Sequence, residues 1–294
     1  MNKTLIKTYA SLLRVDQWYK NLLVFLPIIF GLHILYASAL IKTVVGFVCF
    51  CLVSSANYII NDWNDQDADR VHPEKKNRPL TSGAVDEHSA LWIAGLFFVV
   101  GITLSFLLTQ MFGVIMLTFA VLTQAYTFVF KEEAFADLLL IAINFVLRAV
   151  AGAYVIVSGI DPYIRISPWL VLCTFFLALF LVAGKRQADL RALGKKAVKH
   201  KQVFAVYTEK LTDTLVLMTT TLLVACYSLY IFFNTKQMLF LTLPFALYGI
   251  FRYYYLIQTG HLISRRPELA YKDGRLLATI LLWMLTALFA LYVF

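Results

Sequence analysis

Charge is scarce in this chain. Only 15% of its 294 residues are Asp, Glu, Lys or Arg, where a soluble domain carries about 25%. That shortage argues against an ordinary cytosolic enzyme. Cysteine is equally thin: Cys49, Cys51, Cys173 and Cys226 all lie inside apolar runs, with no CxxC pair and no His-rich partner. They read as small core residues, which sets aside a disulfide framework and a structural zinc site. A secretory leader is also missing, since Lys3, Lys7, Arg14, Asp16 and Lys20 precede the first apolar run and no small-residue cleavage site follows it. The amino terminus is expected to be a retained, partly amphipathic segment on a membrane surface. What the chain has in excess is apolar surface: 61% of residues are hydrophobic and the mean hydropathy is +0.75.

A bilayer-crossing helix needs roughly 20 apolar residues. Such runs lie near 22–40, 41–60, 89–109, 111–130, 135–157, 167–184, 213–233, 237–257 and 276–294. They are uniformly apolar rather than alternating, which excludes a β-barrel. The expectation is an all-α, polytopic membrane protein of nine transmembrane helices, forming one domain over residues 1–294. With the amino terminus cytoplasmic, 22 of the 26 Lys and Arg residues fall on the inner face, as the positive-inside rule requires. The net charge of +9 is then topology, not a nucleic-acid surface. Of the 17 acids only Asp161 falls outside. The long polar connections, about 61–88, 185–212 and 258–275, are all internal, so function is expected in a cavity at the cytoplasmic helix ends.

The loop after the second run reads Asn61-Asp62-Trp63-Asn64-Asp65-Gln66-Asp67-Ala68-Asp69-Arg70. On a continuing helix Asp62, Asp65 and Asp69 share a face, while Asp67 points the other way. Two explanations are open: a solvated acidic helix end, or a hard dication held between carboxylates. Mg²⁺ characteristically takes one or two carboxylates and completes its shell with phosphates. Lys75, Lys76 and Arg78 follow within ten residues, and cations beside carboxylates favour a diphosphate–Mg²⁺ site. Tyr58 stands one turn before Asn61 on the same side, as a phosphate donor or a buried interfacial tyrosine. Arg148 lies inside the fifth run, and an intramembrane arginine usually faces a polar cavity or a partner. Lys131 ends the fourth run as a snorkelling lysine or a phosphate contact. Lys20 and Asn21, at the start of the first run, face a phosphate head group or anchor the helix. His72 with Pro73 reads as a loop-shaping pair, the run Lys195, Lys196, Lys199, Lys201 as a headgroup-attracting surface, and Asp273 as a candidate distal site acid.

Asn61-Asp62-x-x-Asp65-x-x-x-Asp69, with Arg78-Pro79-Leu80-x-Ser82-Gly83 after it, resembles the first aspartate-rich motif of the UbiA superfamily of intramembrane prenyltransferases. Within it the likeness is greatest to decaprenyl-phosphate phosphoribosyltransferases. Four features carry this: Arg14-x-x-Gln17-Trp18-x-Lys20-Asn21, Ala68-Asp69-Arg70-x-His72-Pro73-x-Lys75, Phe145-Val146-Leu147-Arg148-Ala149-x-Ala151-Gly152 and Gly184-Lys185-Arg186. The resemblance implies a UbiA-like bundle in the cell membrane and transfer of phosphoribose from phosphoribosyl diphosphate (PRPP) to a polyprenyl phosphate. It implies Mg²⁺ held by Asn61, Asp62, Asp65 and Asp69, with Asp65, Asp69, Lys75 and Lys185 acting in catalysis. Lys20, Tyr58, Arg78, Lys131, Arg148, Arg186 and Asp189 would bind substrate, and a homo-oligomer is suggested. Aromatic-acceptor members usually carry a second acidic motif after the sixth span. Here Gly184-Lys185-Arg186-Gln187-Ala188-Asp189-Leu190-Arg191 has one acid among cations, which suits a phosphate-bearing acceptor. The alternatives are prenyl transfer to an aromatic acceptor and, from another class, a transporter.

Overall fold

Lipid offers no hydrogen bonds, so a spanning segment must close its own, which a helix does. A computed structural model describes residues 3–71, 75–156, 167–194 and 202–293, and no strand occurs among them. The order is α1 (Lys3–Leu12), a 3-10 segment (Val15–Phe25), α2 (Leu26–Phe30), α3 (Ala37–Asn64), α4 (Gln66–Arg70), α5 (Glu87–Leu108) and α6 (Gln110–Ala125), which continues through a π-helical turn (Tyr126–Phe130). Then come α7 (Ala136–Ile156), α8 (Pro168–Leu193), α9 (Glu209–Phe232), a 3-10 turn (Gln237–Thr242), α10 (Leu243–Gln258), α11 (Leu262–Arg265) and α12 (Gly274–Tyr292). Among the described residues eight helices are long and apolar enough to cross a bilayer. The chain is a multi-pass membrane protein.

The expected first span over 22–40 is not one continuous helix, so the expected ninth long helix is not found among the described residues. Pro27 withholds a backbone N–H, Leu32 turns the chain with φ of 62°, and α3 starts afresh at Ala37. The preceding 3-10 segment has its own logic. Three residues per turn put Trp18, Asn21 and Val24 on one face. Trp18 Nε1 donates to Ser55 Oγ at 3.1 Å, and Asn21 and Val24 are buried. His72, Pro73 and the Lys195–Lys201 run lie outside the described residues.

Two compact units divide the chain. The first comprises Met1–Ile28, Ile34–Lys131 and Leu147–Ile164. Its core centres on Phe50, whose ring meets those of Phe112 and Phe119 edge-on at 5.8 and 5.3 Å between centres, with Val24, Val53, Met116 and Val155 around them. In lipid, apolar contact gains little over the solvent, so close backbone approach through small residues matters more. Gly152 is such a place: a Cβ there would collide with the carbonyl oxygen of Val24, so glycine lets the 3-10 segment lie against α7. The second unit comprises Ile29–His33, Glu132–Val146 and Arg165–Phe294. Phe180, Val216, Tyr253 and Ile257 are among its buried residues.

Candidate active site

At 28 residues, α3 is about 42 Å long, more than the roughly 30 Å of hydrocarbon in a bilayer. Its last turns therefore reach the interface. Tyr58, Asn61, Asp62 and Asp65 follow at i, i+3, i+4 and i+7, one face of the helix. The backbone breaks at Asp65 (φ −95°, ψ 2°) and restarts as α4, which carries Asp69. Asp62, Asp65 and Asp69 are 3%, 9% and 1% exposed. Asp67 points outward and pairs with Arg70 at 3.2 Å.

Three buried carboxylates need counter-charges, and each has one. Arg14 Nε donates to Asp62 Oδ2 at 3.2 Å, and its Nη2 to Oδ1. Arg78 Nη1 reaches Asp62 Oδ1 at 3.0 Å and Asp69 Oδ2 as well, so one guanidinium nitrogen sits between two carboxylates. Lys75 Nζ lies 3.6 Å from Asp69. Lys131 Nζ sits astride both oxygens of Asp65, presented there by the π-helical turn before it, a distortion frequent at functional sites. Asn61 brackets the cluster, donating to Asp65 at 3.2 Å and accepting from Thr127 Oγ1 at 3.3 Å. Arg14 adopts the left-handed backbone conformation (φ 49°). Burial, the largest single effect, opposes its charge, but Asp62, Tyr58 and Asp69 together hold the guanidinium above its ordinary pKa. Lys75 is pushed below the usual lysine range, first by burial and then by Arg78.

One turn toward the membrane the chemistry changes. Arg14 Cζ stands 4.9 Å from the Tyr58 ring centre, and the Lys20 ammonium acts electrostatically on the Tyr58 hydroxyl. Arg148, 5% exposed, donates from Nε to Asn21 Oδ1 at 2.8 Å and lies 4.5 Å over the Phe119 ring. Asn21 also meets Cys51 Sγ and Ser54 Oγ, both at 3.4 Å. Arg14, Lys75, Arg78 and Lys131 thus meet three carboxylates, a formal excess of one positive charge, and Lys20 and Arg148 add two cations one turn toward the membrane.

The groups there able to ligate an ion are the carboxylates of Asp62, Asp65 and Asp69 and the amide oxygen of Asn61, oxygen donors that suit a hard dication. Among the described residues no three His, Cys, Asp or Glu groups are placed to hold an ion by themselves. The residues therefore fit an ion taking one or two carboxylates and completing its shell from phosphates, and do not fit a cage made of protein alone.

In the second unit Lys185 is exposed. Arg186, however, is buried against Asp137, with Nε and Nη2 at 3.0 and 2.8 Å from Oδ2. Asp137, 0% exposed, also accepts from Tyr207 Oη at 2.7 Å. That hydroxyl in turn accepts from the Phe135 N–H at 2.8 Å, where the backbone is left-handed (φ 66°). Burial, then the Asp137 hydrogen bond, raise the Tyr207 pKa. Asp189 accepts from Arg265 Nε at 3.0 Å. Asp273 pairs with Arg252 at 2.6 Å and caps α12 through the Leu276 N–H. Arg186, Asp189 and Asp273 thus have protein partners.

The model of the UbiA prenyltransferase family matches residues 24–269. The chain belongs to this family. The decaprenyl-phosphate phosphoribosyltransferase of Mycolicibacterium smegmatis is 33% identical to this UbiA protein over 99% of the chain and 94% of its own length. That of Mycobacterium tuberculosis is 29% identical over 96% and 93%. A UbiA homolog from Archaeoglobus fulgidus bound to GPP and Mg²⁺ superposes with a TM-score of 0.74 at 19% identity, covering 96% of this chain and 98% of that one. At that identity the likeness is one of fold.

Sequence reasoning passed over Arg14, Thr127, Asp137 and Tyr207 in this UbiA chain. Arg14 stood inside a motif already singled out, but a lone arginine near an amphipathic terminus reads as topology. The Asp137–Arg186 pair spans 49 residues, and no local pattern announces it.

Proposed function

We propose that this protein transfers the 5-phosphoribosyl group of PRPP to a polyprenyl phosphate, releasing diphosphate, in a Mg²⁺-dependent reaction at the cytoplasmic face of the cell membrane. The observation that carries it is the excess of cations over buried carboxylates at the end of α3, which phosphate-bearing ligands would neutralise. Relatives that match over nearly the full length are decaprenyl-phosphate phosphoribosyltransferases, which supports it.

One or two carboxylates of the set Asp62, Asp65 and Asp69, with Asn61 beside them, would hold Mg²⁺ against the diphosphate. When bound, the ion neutralises the leaving group and polarises its oxygens. Lys75, Arg78 and Lys131 would turn from the carboxylates to phosphate oxygens, offsetting charge as it grows there. Lys185, exposed on α8, is assigned a phosphate contact. A lipid phosphate is already ionised at neutral pH, so no residue need remove a proton from it. Its oxygen bonds to ribose C1 as the C1–O bond to diphosphate breaks, and the electron pair leaves with the diphosphate. Positioning and electrostatics in a water-poor site then supply the catalysis.

Membranes containing the protein, given PRPP, polyprenyl phosphate and Mg²⁺, should yield a phosphoribosyl lipid, and chelation should stop it. Prenylation of an aromatic acid from a polyprenyl diphosphate, without phosphoribosyl lipid, would overturn the assignment.

A further inference from the structure

Resting on that reading, we infer that Glu87 is a positioning residue: its carboxylate splints the break at Asp65 and so fixes Asp69, on α4, against the acids of α3. The break needs a splint. Asp65 sits in the sparsely populated bridge region of backbone space, and α4 has five residues, far too few to hold a helix or its direction unaided. Asp62 on α3 and Asp69 on α4 nonetheless converge on one Arg78 nitrogen. Glu87 opens α5, outside the acidic segment. Its Oε2 accepts from Trp63 Nε1 at 3.3 Å, and its Oε1 from Gln66 Nε2 at 3.0 Å. Trp63 precedes Asp65 by two residues and Gln66 follows it directly. One carboxylate therefore grips the chain on either side of its hinge. The base of this grip is firm, because Ala90 and Ala94 of α5 share a buried cluster with Ala56 and Ile59 of α3.

The ion pairs cannot supply this restraint throughout. In the proposed reaction Lys75 and Arg78, the two cations on Asp69, turn to phosphate oxygens, and the ties that hold α4 in the ligand-free protein go with them. Both Glu87 bonds are made with neutral donors, an indole and an amide, which a diphosphate does not draw away. The splint is the restraint left when the cluster exchanges partners. A carboxylate suits the task, since its two oxygens can accept from two donors at once, whereas an amide offers one oxygen. Holding α4 in place beforehand removes an ordering cost from ligand binding. An acid in a first helical turn also favours the helix itself. Asp86, which caps α5 by accepting from the Ser89 N–H at 2.9 Å, serves as the control for that effect.

The test follows Mn²⁺, standing in for Mg²⁺, as it binds to full-length protein in detergent with PRPP present, read by electron paramagnetic resonance. Phosphoribosyl-lipid formation over a Mg²⁺ series and thermal unfolding are measured beside it. Glu87→Ala should weaken Mn²⁺ binding, and raise the Mg²⁺ needed for half-maximal rate, by about three- to tenfold, the scale of a partly exposed hydrogen bond. Its melting temperature should stay close to that of wild type, as Glu87 is exposed. Glu87→Gln, Trp63→Phe and Gln66→Met each keep half the grip and should show a smaller loss in the same direction. Glu87→Ala should add little to Trp63→Phe and Gln66→Met combined. Asp86→Ala should leave Mn²⁺ binding unchanged. Unchanged Mn²⁺ binding in Glu87→Ala would overturn the inference. So would an equal loss in Asp86→Ala, which assigns the effect to helix stability. A loss in Glu87→Ala with none in Trp63→Phe and Gln66→Met also defeats it, by assigning the effect to charge alone. If wild type binds Mn²⁺ with a polyprenyl diphosphate and not with PRPP, the donor assignment fails. A loss in Glu87→Ala on that ligand then keeps the splint, and no loss removes it. Mn²⁺ held with neither diphosphate defeats both readings.

Discussion

Replacing Asp65 by Asn tests the site through two readouts that need not move together. Asp65 is the one carboxylate of the three paired to a single cation, Lys131, whose ammonium touches both its oxygens. The side chains are 9% and 20% exposed. Breaking a fully buried pair costs about 3–5 kcal/mol because one charge is stranded. Here Asp65→Asn strands Lys131, which water partly reaches, so a loss near 2 kcal/mol is expected. Lys131→Met strands the more buried carboxylate and should cost more, about 3 kcal/mol, eased by the amides of Asn61 and Asn64. Because each single change leaves a charge unpaired, the double variant should be less destabilised than the sum, with a coupling of about 1–3 kcal/mol.

Turnover follows a different rule. Removing one preorganised group facing developing charge lowers kcat by about 10²–10³, and a lost metal ligand should do no less. Asp65→Asn, Lys131→Met and the double variant should therefore all fall by at least that factor. The assay is formation of phosphoribosyl lipid beside thermal unfolding in detergent. Turnover within threefold of wild type for Asp65→Asn would remove it from the metal site. Strictly additive stabilities would show that the pair is not coupled.

Three further outcomes follow. Asp137→Asn should lower stability by about 3 kcal/mol by stranding Arg186 in a buried setting, with Tyr207→Phe costing about 1 kcal/mol; a melting temperature unchanged in Asp137→Asn would sink the argument. Gly152→Ala should reduce the yield of folded protein, because the new methyl must push the Val24 carbonyl and the whole 3-10 segment aside, and normal folding would mean that segment is not seated on α7. Arg252, against the opposing effect of burial, and the Leu276 N–H hold the Asp273 carboxyl below its ordinary value, so its stabilisation is complete above the unfolded carboxylate pKa and is lost as pH falls through the lowered one. The stability gap between wild type and Asp273→Asn should accordingly narrow on acidification from about pH 6 to about pH 3; a constant gap would refute it.

Much of this was legible in the sequence because period and length are local properties. Eight apolar runs became eight long helices, and i, i+3, i+7 spacing put Asp62, Asp65 and Asp69 together while turning Asp67 outward. What escaped depends on backbone states that no apolar count reports. The run over 22–40 looked long enough to span, yet Pro27 and the left-handed Leu32 divide it, and Val15–Phe25 winds with a period of three rather than 3.6. The basic loop pointed to an anionic ligand for Arg186 and gave no sign of its protein partner. That partner, Asp137, opens the preceding long helix, α7, and only the folded chain brings the two side chains together.

The cluster at the end of α3 makes little sense as a device for stability. Buried ion pairs return little over well-packed apolar groups, since desolvation consumes most of the attraction, and this one crowds four cations around three acids. Its worth lies in what it can exchange. A dication approaching alone must displace Lys131 from Asp65 and Arg78 from Asp62 and Asp69, leaving those cations unpaired. A diphosphate approaching alone draws the cations off and leaves bare carboxylates facing its own charge. Ion and diphosphate arriving together satisfy both sets at once, the acids on the metal and the cations on the phosphates. On the proposed function, the mutual pairing of acids and cations would keep both kinds of charge ordered and disfavour either half of the substrate complex by itself.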